Sequence, residues 1–72
     1  MTPEQVDIVD RDVAAMLDRI GYCKLEVFLH GNPLPLCGEY QRLDRDTIIL
    51  HNGVTDRWII DVSGIIAIGV NR

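Results

Sequence analysis

Apolar residues in the first twenty positions recur every three or four residues and predict an amphipathic helix. This spacing places their side chains on one face of an α-helix, and the stripe consists of Val6, Val9, Val13, Leu17 and Ile20. The residues before the stripe are typical of a helix start, because Thr2 suits the N-cap and Gln5 completes a capping box with it. Pro3 suits the first helical position, and Gly21 supplies a left-handed stop. We therefore expect a helix over residues 2–20 that buries its apolar stripe and keeps its charged face in solvent.

After Gly21 the apolar period changes to two, which predicts β-strands. In CKLEVFLH, residues 23–30, one face is apolar and consists of Cys23, Leu25, Val27 and Leu29. The other face consists of Lys24, Glu26, Phe28 and His30. Further strands are expected from Leu36 to Leu43, in TIIL, through Trp58 and Ile60, and in IIAIGV. The strands are connected by GNPLP, Asn52-Gly53 and VSG. Asn-Gly is a strong signal for a hairpin.

One helix followed by five short, strongly bent antiparallel strands is typical of a small SH3-like barrel that is partly open. We expect a mainly β fold in a single domain over residues 1–72, with the helix at 2–20 and the five-stranded barrel at 23–70. Gly38 is expected to let the second strand curl, because a side chain there would obstruct the bend. Asp44 is expected to accept a backbone N–H in the next turn and so fix the reversal into the third strand.

The small size of the chain favours association with other subunits. A domain of 72 residues buries only about 60% of its unfolded surface and usually needs further stabilisation. The two cysteines, Cys23 and Cys37, are too few for a disulfide scaffold and belong to no metal-binding motif. Oligomerisation is the remaining expectation. No apolar run reaches transmembrane length and the first residues lack a signal-peptide pattern, so we expect a cytoplasmic protein with reduced thiols.

The charge balance is acidic and limits nucleic-acid binding to local sites. Seven Lys and Arg residues stand against eleven Asp and Glu residues, which gives a net charge of -4, so the surface as a whole does not attract phosphate. His30 and His51 have no ligand-spaced partners, and Asp44 and Asp46 have no nucleophile or metal motif beside them. We therefore expect neither an enzyme nor a bound metal or cofactor.

Two segments of the chain carry a family resemblance. In LEVFLHGNPLPLCGEYQRLDRDTIILHNG an alternating apolar strand and a loop are followed by Gly38 and, six residues later, by Asp44 at the start of an apolar strand. This segment resembles the first signature of the Sm-like family and is most similar to its bacterial Hfq branch, and IIDVSGIIAI resembles the second signature. The resemblance implies a homo-oligomeric ring of five to seven subunits. In such a ring the fourth strand of one subunit pairs with the fifth strand of the next.

Ring closure also has a physical argument. IIAIGV is very apolar and would be an aggregation liability as an open edge, which a closed ring removes. The expected interface residues are Ile59, Ile65, Ile66 and Ile68. An isolated SH3-like barrel, which would leave that strand exposed, is the structural alternative.

On the helix-bearing face the chain departs from the family at the RNA-binding positions. Hfq-like rings stack uridine on a phenylalanine two residues beyond the aspartate, and the matching position here is Asp46. A Tyr-Lys-His run supplies the other contacts in those rings. Here the equivalent stretch is WIID. Depending on a one-residue choice in the alignment, Ile59 or Ile60 takes the position of the lysine, and Ile60 or Asp61 takes that of the histidine. The resemblance therefore implies no uridine pocket on this face.

On the opposite face, Phe28 matches an aromatic residue on which Hfq stacks adenine. Packing of Phe28 beneath GNPLP or against a neighbouring subunit is the alternative. His30, on the same predicted face, is a further RNA-binding candidate, and Arg45 and Arg19 are candidates for contacts with phosphate. Arg19 matches a basic rim in Hfq, and a solvated helix end explains it equally.

Two functions follow from these residues. The first is a ring that binds single-stranded RNA, with a preference for A-rich sequences on the face opposite the helices. The second is an Sm-like ring that has lost RNA binding and serves as a structural or protein-interaction scaffold.

Overall fold

The computed structural model describes residues 1–20 and 24–71 of the chain. The expected helix stop at Gly21 and the expected strand residue Cys23 lie outside these ranges, as does the side chain of Ile20. Within these ranges, no helix has both the length and the apolar character that crossing a membrane requires.

Helix α1 spans Pro3–Ile20 and begins with the predicted capping box. The N–H of Gln5 donates to Oγ1 of Thr2 over 3.2 Å, and the N–H of Thr2 donates to Oε1 of Gln5 over 2.8 Å. These two bonds satisfy backbone donors that no helical carbonyl reaches. The start of the helix is therefore encoded within four consecutive residues.

The buried face of α1 follows the predicted stripe, with one change near the end of the helix. Val6 and Val13 are buried, and Val9 is half-buried against the same core. Met16 also packs there, whereas Leu17 is half-exposed. Because one helical turn takes 3.6 residues, apolar positions repeated every seven residues shift gradually around the helix axis. Leu17 therefore lies at the border of the buried face. The burial predicted for Leu17 is wrong.

Five antiparallel strands form one sheet. They are β1 (Lys24–Leu29), β2 (Leu36–Arg42), β3 (Thr47–Asn52), β4 (Asp56–Asp61) and β5 (Ile65–Asn71). Their order in the sheet is β4-β3-β2-β1-β5, and a 3₁₀ turn at Val62–Gly64 links β4 to β5. The predicted fold class is confirmed: a mainly β fold with one N-terminal helix and five antiparallel strands, consistent with an Sm-like fold. The sheet does not close, so β4 and β5 are its two edges.

Gly38 lies in close contact with β3, and Asp44 fixes the turn after β2. A Cβ on Gly38 would lie 2.5 Å from the carbonyl oxygen of His51, so no side chain fits where β2 passes the backbone of β3. In the turn between these strands the N–H of Asp46 donates to Oδ1 of Asp44 over 2.9 Å. The N–H of Asp44 donates to the carbonyl oxygen of Thr47 over 3.2 Å. Asp44 therefore fixes the turn through both its side chain and its backbone.

The β3–β4 hairpin forms at the predicted Asn52-Gly53, with a longer loop than a two-residue Asn-Gly turn. Asn52 pairs with Asp56, which leaves residues 53–55 in the loop. Gly53 has a left-handed φ of 74°, whereas no non-glycine residue in the described ranges has a positive φ. A type I′ turn would require a positive φ at Asn52 as well.

The core lies between α1 and one face of the sheet. Its larger cluster consists of Val6, Val27, Ile48, Leu50, Ile60, Val62 and Ile65. A smaller cluster joins Val13 of α1 to Leu25 of β1, and Tyr40 and Ile68 pack against both clusters. Alternate residues of β1 point to the other side of the sheet, which we call the outer face.

Candidate nucleic-acid and subunit interfaces

Phe28 lies on the outer face of β1 and is 37% exposed. It pairs with Ala67 of β5, and its Cε2 lies 4.0 Å from the position that a Cβ on Gly69 would take. The aromatic ring therefore extends along β5 beside two residues with little or no side chain. Phe28 packs in part against its own subunit, and the exposed part of the ring is available for stacking.

The charges beside Phe28 on the outer face are mixed and do not favour phosphate. Lys24 pairs with Glu39 across β1 and β2. Oε2 of Glu26 lies 4.0 Å from the same Cβ position on Gly69 that Phe28 approaches. Because carboxylates accompany Lys24 on this face, binding here would depend on the base more than on the phosphate.

His30 belongs to a different surface from Phe28, although simple alternation places the two on one face. The ladder between β1 and β5 shifts between Phe28 and Leu29, and such a bulge redirects the side chains that follow it. His30 lines a cleft of about 380 Å³ between the end of β1 and strand β4, together with Trp58. Phe28 is not among the residues that line this cleft.

Arg45 is exposed in the β2–β3 turn and forms an ion pair with α1. Its Nη2 lies 2.7 Å from Oε1 of Glu4. A backbone hydrogen bond and the Arg45 guanidinium together hold the pKa of Glu4 below its ordinary value. The cation that was expected to meet phosphate is thus already engaged by a carboxylate of its own chain.

Arg42 joins α1 to the β2–β3 turn, and sequence reasoning missed it. Its Nη1 lies 2.7 Å from Oδ2 of Asp10 and 3.2 Å from Oδ1 of Asp7. Its Nε donates to the carbonyl oxygen of Asp44 over 2.6 Å, and its Nη2 donates to that of Arg45 over 2.8 Å. The i, i+3 spacing of the two aspartates, which makes them neighbours on the helix surface, was the available signal.

Tyr40 completes this connection from the same face of β2. Its hydroxyl group donates a hydrogen bond to Oδ1 of Asp10. Burial and that hydrogen bond raise the pKa of Tyr40 above its ordinary value. Burial alone would lower the pKa of Arg42, but the negative charge of Asp10 raises it. The arrangement therefore holds a neutral phenol and a charged guanidinium against one carboxylate.

Arg19 is exposed in the last turn of α1. Glu4, the partner of Arg45, lies in the first turn of the same helix. A rise of 1.5 Å per residue separates these two helix positions by about 22 Å. Arg19 and Arg45 therefore do not form one phosphate site within a subunit.

The predicted interface residues fall into two groups. Within the described ranges β4 pairs only with β3 and β5 only with β1, so each strand has a free edge. Ile59 and Ile66 are 69% and 54% exposed, as a subunit contact requires. Ile68 is half-buried against both core clusters. Ile65 is fully buried within its own chain, which leaves its backbone rather than its side chain for contact with a neighbour.

The part of the chain that the structure describes holds no group of three His, Cys, Asp or Glu side chains that could bind a metal ion. The chain matches no protein-family model, no curated protein and no solved structure. Its Sm-like assignment therefore stays a prediction from sequence and fold class.

Proposed function

We propose that this chain is an Sm-like subunit that assembles into a homo-oligomeric ring of five to seven copies and binds single-stranded RNA through Phe28 on the outer face. A preference for A-rich sequences and a cytoplasmic location belong to the same proposal. The observation that carries it is the position of Phe28, a partly exposed aromatic side chain beside the small residues of β5.

The two edges of the open sheet support assembly. An unpaired edge strand offers a row of free N–H and C=O groups to another chain. Here β4 is one edge and β5 is the other, and they expose Ile59 and Ile66. Pairing β4 of one subunit with β5 of the next is a head-to-tail contact, which generates a closed ring when the rotation closes.

A ring would compensate for the weak individual site. One base stacked on an aromatic side chain contributes about 1–3 kcal/mol. Five to seven copies of Phe28 in one assembly would bind one strand repeatedly, and linked contacts raise the overall affinity far above that of a single contact. Base stacking also needs few cations, in keeping with the net charge of -4.

Two observations favour the second function, an Sm-like scaffold that does not bind RNA. Glu26 and Glu39 lie on the same face as Phe28, and Arg45 is paired with Glu4. In a scaffold the exposed part of Phe28 would contact a protein partner instead of a base.

Binding of oligo-A and oligo-U of equal length, measured by fluorescence anisotropy on the assembled protein, tests the proposal. Wild type should bind oligo-A more tightly than oligo-U, with a slope of log K against log salt of magnitude about 1–3 because few phosphates are contacted. Phe28→Ala should weaken oligo-A binding by about 1–3 kcal/mol. Phe28→Leu keeps an apolar contact beside Gly69 without an aromatic face, so it should show a similar loss, whereas Phe28→Tyr should retain binding.

Each variant must have the oligomeric state of wild type. Equal oligo-A binding by wild type and by Phe28→Leu would reject stacking at this position. Absence of binding to both oligomers at low salt by an intact wild-type ring would favour the scaffold.

A further inference from the structure

The ion pairs of this chain share one arrangement. Each of the three in the described ranges joins a carboxylate of α1 to an arginine at the β2–β3 turn. Arg42 is held by Asp7 and Asp10, and Arg45 is held by Glu4. The two cations next to this turn are thus occupied by the same helix.

Carboxylates and phosphates compete for the same donors. The planar guanidinium of arginine matches the oxygens of either group with the same pair of N–H bonds. The carboxylates of α1 therefore stand where phosphate oxygens would bind at this turn. An RNA strand can contact Arg45 only by displacing Glu4 or by sharing the guanidinium with it.

The two arginines differ in how firmly they are held. The Arg42 side chain is 19% exposed and also donates to two backbone carbonyl oxygens, so it is part of the folded structure. The Arg45 pair with Glu4 is exposed on both sides, and exposed ion pairs are weak and screened by salt. Arg45 is thus the cation that a competing anion can reach.

We infer that α1 provides an autoinhibitory contact, in which Glu4 occupies Arg45 and lowers the affinity of the β2–β3 turn for the phosphate groups of single-stranded RNA. The inference rests on the proposed function for its ligand. Its physical content, the masking of one cation by one carboxylate, is measurable with any polyanion.

The test compares two substitutions in α1 that change the net charge equally. Glu4→Gln removes the carboxylate that faces Arg45. Asp12→Asn removes an exposed carboxylate that forms no ion pair among the described residues. The probes are oligo-A and heparin, a sulfated polyanion that needs no base stacking, each at low salt. Circular dichroism and sedimentation check that the variants keep the fold and oligomeric state of wild type.

Glu4→Gln should bind heparin about 1.5- to 5-fold more tightly than wild type, the range expected from an exposed ion pair. Asp12→Asn should give a smaller gain. Arg45→Gln should change wild-type binding little but should remove the gain when it is added to Glu4→Gln. Equal gains from Glu4→Gln and Asp12→Asn, or a full loss from Arg45→Gln alone, would overturn the inference. A gain seen with heparin while no variant binds oligo-A would reject RNA binding and keep the contact.

Discussion

Replacing Gly38 with alanine tests whether the close approach of β2 to β3 requires glycine. The new Cβ would lie 2.5 Å from the carbonyl oxygen of His51 and 2.9 Å from its carbonyl carbon. Both atoms belong to the backbone of β3, so relief requires β2 and β3 to move apart. Forced overpacking of this kind costs about 1–3 kcal/mol, and the lower chain entropy of alanine in the unfolded state returns about 0.4–1 kcal/mol.

The difference leaves Gly38→Ala with an expected loss of about 1.3 kcal/mol of unfolding free energy, which corresponds to a fall in Tm of about 5–10 °C for a domain of this size. Gly64→Ala is the matched control, because a Cβ there meets nothing within 4 Å. Thermal unfolding should be followed by circular dichroism at equal protein concentrations, since Tm depends on concentration in an oligomer. A Tm for Gly38→Ala within about 2 °C of that for Gly64→Ala would refute the steric argument.

Three further predictions concern the helix contacts and the sheet edge. Arg42→Met removes four hydrogen bonds and should lower the free energy of unfolding in urea by about 1–3 kcal/mol. The exposed control Arg57→Met should lower it by about 0.5 kcal/mol or less. Equal losses for the two variants would contradict the role of Arg42. Because burial and its hydrogen bond raise the pKa of Tyr40, the unfolded chain releases this proton first as pH rises above about 10. Wild type should therefore lose unfolding free energy above that pH more steeply than Tyr40→Phe, by up to about 1.4 kcal/mol per pH unit, and parallel profiles would count against the shift. Ile66→Asp should dissociate the proposed ring in sedimentation velocity, whereas Val54→Asp, at the fully exposed hairpin loop, should leave it intact. An assembly that tolerates both changes would place the subunit contact elsewhere.

The fold was predictable wherever its determinants are local in sequence. The capping box needs only Thr2 and Gln5, and the alternation of β1 needs only the residues of that strand. Gly38 and Asp44 act within one strand and one turn, so their spacing indicates a bend and a reversal. Leu17 was mispredicted because its burial depends on how the helix drifts across the sheet.

The candidate site was less predictable because its residues depend on contacts between distant segments. The separation of His30 from Phe28 follows from a bulge in the pairing of β1 with β5, which alternation along one strand cannot reveal. The pairing of Arg45 with Glu4 joins residues 41 positions apart. Ile65 and Ile66 are adjacent in sequence, yet one is buried and the other exposed, because only the docked strand decides which side chain enters the core.

Native mass spectrometry of the wild-type protein with oligo-A measures the proposed assembly and RNA binding in one spectrum. We expect an assembly of five to seven chains that carries oligo-A, and the same assembly without RNA for Phe28→Ala. A monomer would contradict ring formation. An intact wild-type ring that carries no oligo-A at low salt would contradict RNA binding through Phe28.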